Sequence, residues 1–275
     1  MKNRLRFLLV MCLMAVLGLA MPAKAQSPQT LEIGPHFGAT SYVGDLNVWR
    51  HLPQWDWKQL NQFHYDLGGL VRFNYDSRWS FRLDYTYLHA RAKDNITAWR
   101  PQSQLNFQTT AHDLSLLVEF NFMDYYTGKM DKSFSPYIFG GISGFLYKVR
   151  PFTGDEVVDA YVFDKLPNKS LSVPFGLGVK ASITEHLAAT AEWRMHYTFT
   201  DYFDGVSGDY PALDDHIPVP DSQGNEYDLT DPTGTFPEGY QRGNARNNDW
   251  FGMLNLSLTW KFVIPDNAGC KLTDR

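Results

Sequence analysis

From Phe63 to Tyr87 the chain reads FHYDLGGLVRFNYDSRWSFRLDYTY, and apolar and polar residues alternate almost without error. The alternation breaks at Asp76-Ser77 and restarts at Trp79. A period of two is typical of a β-strand with one apolar face. Each run spans about 12 residues, longer than the usual 5–6 residues of a globular strand. An aromatic face opposite a charged face over this length indicates a closed barrel in lipid, apolar outside and polar inside.

The same alternation recurs along the chain and predicts eight strands. They cover Leu31–Val43, Phe63–Tyr75, Trp79–Tyr87, a strand ending with Leu114–Phe122, Pro136–Arg150, Val173–Ile183, Leu187–Tyr197 and Leu254–Phe262. The fifth is rich in glycine and its parity is less clear. Connections after even-numbered strands are short or moderate, whereas those after odd-numbered strands are long. Short turns face the periplasm in outer-membrane barrels. We therefore predict an all-β, eight-stranded antiparallel transmembrane outer-membrane β-barrel over residues 26–264.

The first 25 residues predict a secretory signal peptide. A basic start is followed by an apolar run from Leu8 to Ala20, and small residues surround a cleavage point after Ala25. The run is shorter than the roughly 20 residues that a spanning helix needs, which argues against a membrane anchor. Residues 265–275 would form a short periplasmic tail. Both ends of the mature chain are expected in the periplasm.

Composition excludes several classes of protein. Removal of the four basic residues of the signal reduces Lys+Arg from 25 to 21 against 30 Asp+Glu, a net charge of −9, which argues against a nucleic-acid partner. Cys270 alone remains as cysteine in the mature chain, so that no intrachain disulfide can form. No mature stretch approaches 18 apolar residues, and the mean hydropathy is −0.34, which excludes a helical membrane protein.

The polar parity places charges of both signs inside the predicted barrel. The expected lumen charge network consists of Glu32, Asp66, Arg72, Arg82, Asp84, Glu119, Lys180, Glu192, Arg194 and Lys261, with Asp113 as a further inward acid. Buried charges must be paired, and the interior of an eight-stranded barrel is just wide enough for side chains to fill it. We therefore expect an ion-paired plug and no open pore. The alternative is a proton or ion path along these charges.

Aromatic and acidic residues suggest further features. An interfacial girdle is expected from Trp79, Tyr85, Tyr87, Tyr125, Tyr126, Trp250 and Trp260. Trp49, Trp55 and Trp57 in the first outer loop would form either a sugar-binding platform or a short amphipathic helix on the rim. The segment Asp201–Tyr240 contains ten acids and no Lys or Arg. Its oxygens could hold Ca²⁺, although the spacing fits no EF-hand, and the alternative is a solvated or partner-binding loop.

Signals for catalysis are absent from the sequence. Gly141-Ile142-Ser143-Gly144 fails the spacing of the serine-hydrolase elbow. His36, His64 and His196 share the inward parity, and hydrogen bonding within the lumen is their expected role. His112 and Ser115 would point to opposite faces of one strand, which spoils a triad with Asp113. Without a zinc pattern or a nucleotide loop, we expect no enzyme activity, no metal and no cofactor.

Several segments resemble the PorG-like outer-membrane barrels of Bacteroidetes. The most specific are Arg194 to Tyr210 (RMHYTFTDYFDGVSGDY) and Gln241 to Phe251 (QRGNARNNDWF). The opening Glu32 to Asn47 and the Glu119 to Phe122 segment are also similar to that family. Together they extend over the whole mature chain. Gly205 departs from the pattern, because a second Asp is usual there, and the loop after it is unusually long.

The resemblance implies a non-enzymatic structural component of the type IX secretion system. Such a barrel lies among outer-membrane lipids and would connect a periplasmic ring, built from a PorK-like lipoprotein and a PorN-like protein, to the membrane. Residues expected to contact a partner, or to lock the loop onto the barrel, are Asp201, Tyr202, Asp204 and Arg242. They lie on the predicted outer side, whereas a periplasmic ring would contact the opposite rim. A general surface barrel, whose outer loops bind a ligand or stabilise the envelope, is the second hypothesis.

Overall fold

The computed structural model describes residues 29–43, 64–93, 106–153, 156–157, 168–212, 214, 218–220, 226–228, 230–231, 233–244 and 247–264. The expected signal peptide, the tail 265–275 and the tryptophan cluster of the first outer loop lie outside these residues. Within them the chain forms eight long strands. They are β1 (Thr30–Val43), β2 (His64–Asn74), β3 (Trp79–Lys93), β4 (Asn106–Asn121), β5 (Phe134–Thr153), β6 (Lys169–Ser182), β7 (Leu187–Thr198) and β8 (Trp250–Val263).

The eight strands close into a barrel. Each pairs antiparallel with its neighbour in sequence, and β1 pairs with β8 from Thr30 opposite Val263 to Val43 opposite Trp250. Closure leaves no long strand of the described chain with an unpaired edge, which a backbone in hydrocarbon requires. The predicted fold class is therefore confirmed.

Short secondary-structure elements lie at the two ends of the barrel. A 3₁₀ helix, Met130–Lys132, lies in the β4–β5 turn. Glu156–Val157 pairs with the end of β5, and Pro218–Pro220 pairs with Glu226–Asp228 inside the β7–β8 loop. The turns at 75–78, 122–133 and 183–186 define the periplasmic end, and the long connections define the outer end, as in other outer-membrane barrels.

The distribution of side chains is the reverse of that in a water-soluble protein. Large apolar side chains cover the outer surface, with 63% of Phe37, 67% of Ile142 and 65% of Leu171 exposed. Charged side chains, such as those of Arg72 and Lys180, are completely buried. Water would penalise an apolar belt of this extent, whereas hydrocarbon solvates it. The chain is an outer-membrane barrel, as the sequence predicted.

The outer third of the barrel has a different interior. β3 and β4 extend beyond the predicted alternation, and their inward side chains there are apolar, including Leu88, Ala90 and Ala111. A transmembrane strand needs only about 9–11 residues to cross the bilayer. Strands of 15 and 16 residues therefore project beyond it. Water surrounds that part, so it has an ordinary apolar core.

Strand β5 resolves the parity that the sequence left open. Its inward side chains are aromatic over much of its length, with Tyr137, Phe139, Phe145 and Tyr147 all buried. Its outward side chains are also apolar, among them Ile138 and Ile142. Because both faces are apolar, a period of two carries no information about which face points into the lumen.

One member of the expected aromatic girdle lies elsewhere. Tyr125 is buried inside the periplasmic end of the barrel rather than at the lipid interface. Its backbone N–H donates to the carbonyl of Ser77 at 3.2 Å, which draws the β4–β5 turn across the barrel end. The prediction was wrong for Tyr125 because this turn folds inward, which strand parity cannot indicate.

Candidate functional site

The centre of the lumen contains a layer of paired charges around Glu119. One carboxylate oxygen of Glu119 accepts from Arg72 Nε at 2.9 Å and from Lys180 Nζ at 2.6 Å. The other lies 3.1 Å from Arg82 Nε. Strands β2, β3, β4 and β6 supply these four side chains, so the pairs join strands on different sides of the lumen.

A second cluster continues the layer toward the outer end. Arg82 donates to Glu192 at 2.8 Å, and Arg194 donates to Asp84 at 2.8 Å and to Glu192. The Tyr137 hydroxyl donates to the same Glu192 carboxylate at 2.7 Å. The Arg82 guanidinium also lies 5.1 Å from the centre of the Phe139 ring, in cation–π geometry. Aromatic side chains of β5 thus fill the space beside the ion pairs.

Glu32 and Asp66 connect to the ends of this layer. Glu32 accepts from Arg72 at 3.0 Å and from Asn74 at 3.0 Å. Asp66 accepts from Thr40 at 3.2 Å and from the Asn255 amide. All nine of these charged residues, Glu32, Asp66, Arg72, Arg82, Asp84, Glu119, Lys180, Glu192 and Arg194, have exposed fractions of at most 5%.

Lys261 stands apart from the other nine residues of the expected network. Its side chain is half-buried at the periplasmic rim, where Nζ donates to the carbonyl of Thr127 at 2.6 Å. Lys261 is near the end of β8, so the inward parity holds but the height along the barrel differs. Parity predicts whether a side chain points into the lumen, but it does not predict its height along the barrel axis.

The layer acts as a plug. Six acids, Asp113 included, face four Lys and Arg side chains in the lumen, and serine, threonine, asparagine, tyrosine and histidine groups add further hydrogen bonds. A buried charge is tolerated only where ion pairs and hydrogen bonds replace its hydration. Because these side chains span the lumen and are fully buried, the arrangement closes the barrel at mid-height.

The outer end has a second closure, which we call the lid and define as residues 199–210. Phe203 at its centre is completely buried and stacks on Phe251 with ring centres 5.1 Å apart. The ring centres of Tyr42 and Tyr147 lie 6.1 and 5.8 Å from that of Phe203. The Phe203 N–H donates to Asp249 at 2.9 Å. The lid therefore closes the projecting apolar core.

Asp204 lies in the lid, and Arg242 contacts the lid from the later part of the β7–β8 loop. The Tyr42 hydroxyl lies 2.5 Å from the Asp204 carboxylate and 2.9 Å from the Asp249 carboxylate. Arg242 donates to the carbonyl of Gly205 at 3.1 Å and to that of Thr230 at 3.3 Å. Gly205 has φ of +72°, a conformation that favours glycine over the aspartate usual in the resembling family.

Asp201 and Tyr202 belong to the same segment. Asp201 is buried, whereas Tyr202 is half-buried, with its N–H donating to the Thr200 hydroxyl at 3.2 Å. The structure therefore brings all four expected partner or loop-locking residues to the outer mouth. Asp204 contacts Tyr42 of the barrel wall, and Arg242 contacts the carbonyls of Gly205 and Thr230.

The inward histidines hydrogen-bond inside the lumen. His36 lies 3.1 Å from Asp84, and His196 Nδ1 lies 3.0 Å from the Ser172 hydroxyl and 4.0 Å from Asp113. In a catalytic triad the serine and the acid contact opposite nitrogens of the ring, whereas here both lie near Nδ1. All three groups are buried, with Phe251 stacked on the His196 ring at 4.2 Å. The side chain of His64 lies outside the described residues.

The periplasmic end has its own plug. The Thr127 hydroxyl donates to Glu32 at 2.6 Å, and the Gly128 N–H donates to the Ser182 hydroxyl at 2.7 Å. These bonds hold the β4–β5 turn against the charge layer. Beside the turn lies a cavity of about 290 Å³. It is lined by Thr30, Asn74, Asp76, Tyr125, Tyr126, Thr127, Gly128, Lys129, Glu185, His186, Lys261 and Val263.

The long acidic loop is partly described. Asp231 is buried, and its carboxylate accepts from the N–H groups of Phe236 at 2.8 Å and Thr233 at 3.1 Å. Burial alone would raise the pKa of Asp231, but these hydrogen bonds outweigh it, and the pKa is lowered from the ordinary value. Several acids of the loop, including Asp215, Asp221 and Glu226, have no described side chain.

Sequence reasoning missed both end plugs. The inward parity of Phe251 and Met253 was a signal for the apolar outer core, but no pattern indicated that Phe203 inserts into it. Across the described ranges, no group of three or more His, Cys, Asp or Glu side chains is arranged to hold a metal ion. No helix in the described part of the chain is long and apolar enough to cross a membrane.

Several solved structures are similar to this chain at low sequence identity. A search of curated proteins found no match. Among solved structures, neisserial surface protein A is 12% identical with a TM-score of 0.40, and the two chains are covered to 87% (this chain) and 100%. Pseudomonas aeruginosa OprG is 9% identical with a TM-score of 0.41 and coverage of 87% and 98%. The N-terminal barrel of Pseudomonas aeruginosa OprF is 13% identical with a TM-score of 0.37 and coverage of 85% and 97%.

A family model described as "Domain of unknown function (DUF6089)" matches residues 7–270, nearly the whole chain. The chain therefore belongs to the DUF6089 family.

Proposed function

We propose that this barrel is a non-enzymatic structural component of the type IX protein secretion system. In this role it links a periplasmic ring, composed of PorK-like and PorN-like proteins, to the outer membrane. The proposal starts from the resemblance of Arg194–Tyr210 and Gln241–Phe251 to PorG-like barrels. A structural role also fits the chemistry of the lumen.

The observation that carries the proposal is the threefold closure of the lumen. The β4–β5 turn closes the periplasmic end, paired charges close the centre, and the lid closes the outer end. A barrel filled in this way is unsuited to transport through its own lumen. Its remaining accessible parts are the two rims and the lipid-facing surface, which suit a membrane anchor for other proteins.

Closure also changes where a partner is expected. Asp204 and Arg242 are engaged in lid contacts at the outer mouth, where loop locking accounts for their hydrogen bonds. A periplasmic ring would meet the opposite rim, which is built from the turns at 75–78, 122–133 and 183–186. We therefore assign partner contact to the periplasmic rim and loop locking to the four outer residues.

Deletion of the gene tests the proposed function. The strain should accumulate type IX substrates in the periplasm, and the full-length barrel should co-purify with the PorK-like lipoprotein. The wild-type gene restores secretion. Asp204→Ala, which disturbs the lid alone, should restore it as long as the barrel keeps its heat-modifiable gel mobility. Normal secretion by the deletion strain would contradict the proposal.

A second candidate function is that of a surface barrel whose outer loops bind a ligand. Three rings of the β7–β8 loop support it: Phe236 stacks on Tyr210 at 4.9 Å and on Tyr240 at 5.5 Å. Tyr240 is half exposed, so the stack presents an aromatic face to the exterior. Saturable binding of lipopolysaccharide oligosaccharide that Tyr240→Ala abolishes would favour this alternative.

A further inference from the structure

The periplasmic rim contains a preformed recess that the lumen plug does not use. We call it the socket, defined by the cavity of about 290 Å³ between the β4–β5 turn and the ends of β1, β2 and β8. Its floor is held by Thr127, which bonds Glu32 in the charge layer, and by Gly128, which bonds Ser182. A recess anchored in this way needs little ordering when a ligand enters, which favours binding.

Two ammonium groups supply hydrogen-bond donors to the socket. Lys261 Nζ donates one hydrogen to the carbonyl of Thr127, and an ammonium has three donors. Lys129 Nζ lies 4.6 Å from the centre of the Tyr126 ring. Both lysines line the cavity. Together they provide donors for a carboxylate placed at the mouth of the socket.

Two acids also line the socket, but they differ in availability. Asp76 accepts from the N–H groups of Arg78 and Trp79, both at 2.7 Å, so its charge stabilises the β2–β3 turn. Glu185 is an exposed residue on the β6–β7 turn, opposite the β4–β5 turn that carries Lys129. The lining therefore holds two lysines and two acids, but one oxygen of Asp76 is already occupied by N–H donors, so that Glu185 is the acid of the lining left to compete for the lysine donors.

Apolar surface surrounds the charges. Tyr125, Tyr126 and Val263 contribute to the lining. Met130 lies one residue beyond Lys129, on a 3₁₀ helix with no buried residue, and 95% of its side chain is exposed. Methionine is flexible and polarisable and is over-represented on adaptable binding surfaces. A ligand that satisfies the whole rim therefore combines a carboxylate with a neighbouring apolar side chain.

We propose that the socket and Met130 bind an acidic, partly apolar peptide segment of a periplasmic protein. The inference rests on the proposed function, because it identifies the surface through which the barrel holds its periplasmic partner. The aromatic and methionine surface favours a peptide over a purely ionic ligand, since an ion would leave that surface exposed.

The test uses the full mature barrel in detergent micelles and a purified PorN-like periplasmic protein as the probe. Surface plasmon resonance at low salt should detect binding that weakens as ionic strength rises. Lys129→Glu and Met130→Asp should each raise the Kd at least tenfold. Both side chains are exposed, and unchanged heat-modifiable mobility verifies that the variants fold. Lys148→Glu, an exposed charge change toward the outer end of β5, is the matched control and should bind like the wild type.

Each outcome decides the inference. Wild-type affinity in both rim variants would overturn the socket and leave the proposed function intact, because the barrel would still bind its partner elsewhere. An equal loss of affinity in Lys148→Glu would also overturn the socket proposal, since the effect would then be general charge repulsion. No binding by the wild-type barrel overturns it as well, and the secretion phenotype of the deletion strain then decides separately whether the proposed function falls.

Discussion

Charged side chains are buried in the lumen, where ion pairs replace their hydration. Arg72 is completely buried and contacts Glu32 and Glu119 at 3.0 and 2.9 Å. The net contribution of such a pair is small, because the desolvation of both groups offsets their attraction. Loss of one partner is costly, because it leaves the other charge buried and unpaired.

Arg72→Ala should therefore destabilise the barrel strongly. We expect the free energy of unfolding to fall by about 3–5 kcal/mol, measured by urea unfolding in detergent micelles or lipid vesicles. The matched control is Arg78→Ala, which breaks a contact with Asp124 at the periplasmic rim where 38% of the Arg78 side chain is exposed. An exposed pair contributes about 0–1 kcal/mol. Similar losses in both variants would contradict the buried network.

Tyr42 is one of the residues that join the barrel wall to the lid. Its hydroxyl lies close to two carboxylates, so Tyr42→Phe removes a charge-assisted hydrogen bond and should cost about 1.5–3 kcal/mol of lid stability. Faster trypsin cleavage after Arg242 would report the loosened lid. Tyr85→Phe is the control, because that hydroxyl contacts His112 on the exposed outer surface. Unchanged cleavage in Tyr42→Phe would exclude the proposed locking.

At the scale of strands, glycine on the inward face makes room for large lumen side chains. A Cβ on Gly68 in β2 would collide with the Tyr85 carbonyl oxygen and with the His36 ring. On the adjacent, outward Gly69, the nearest atom would be the Gly34 carbonyl oxygen at 3.7 Å, an ordinary contact. The two glycines are neighbours in sequence and differ in the space around them.

Gly68→Ala should destabilise the barrel by about 1–3 kcal/mol, the usual cost of overpacking. Gly69→Ala should be close to neutral. Chemical unfolding of the two variants in the same detergent measures the difference. Equal stability would mean that β2 and β3 can separate enough to admit a methyl group on either face.

The segment around Phe236 in the β7–β8 loop gains local order from the Asp231 carboxylate. Asp231 caps the segment 233–236, and its pKa is lowered because the N–H groups of Phe236 and Thr233 stabilise the charged form. A carboxyl with a lowered folded pKa stabilises the folded loop above its unfolded value of about 3.9. That stabilisation is lost as the pH falls through the lower folded pKa.

We therefore expect the stacked rings around Phe236 to stay ordered at pH 5 and to lose protection only below about pH 4. Hydrogen exchange of the Phe236 amide across this range measures the effect. In Asp231→Ala the amide should be unprotected at every pH. Loss of protection near pH 6 in the wild type would assign the order to a different group.

At the scale of the whole molecule, the three closures lie in series along the lumen. The β4–β5 turn contacts Glu32, the charge layer extends to Arg194, and His196 stacks on Phe251 beneath the lid. Removing one closure leaves the others in place. We therefore expect closure to be a property of the stack rather than of one plug.

The wild-type barrel should show no porin-like single-channel conductance in planar bilayers. Phe203→Ala, which removes the centre of the lid, should remain non-conducting because the charge layer still fills the lumen. A purified porin in the same bilayers is the positive control. Stable open channels from the wild type would support the ion path that the sequence left open and would contradict the closed lumen.

The alternation of residues along the chain is enough to assign the solvent on each side of the barrel wall. Alternation at Phe63–Tyr87 requires two environments, and the run lengths and loop rhythm require eight strands in a bilayer. It assigned Arg72, Arg82 and Glu119 to the lumen because charge cannot face hydrocarbon. Where both faces of a strand are apolar, as in β5, this rule cannot tell the inward face from the outward face.

Which inward side chains meet could not be read from the sequence and depends on the folded barrel. Parity assigns a face, but contacts across a lumen depend on strand register and barrel closure, which bring Arg82 of β3 to Glu192 of β7. For the same reason Lys261 shares the inward face and yet lies at the rim, away from the ion pairs. The inward folding of Tyr125 and Phe203 depends on loops that fold back over the ends, and a period-two pattern stops where the strands end.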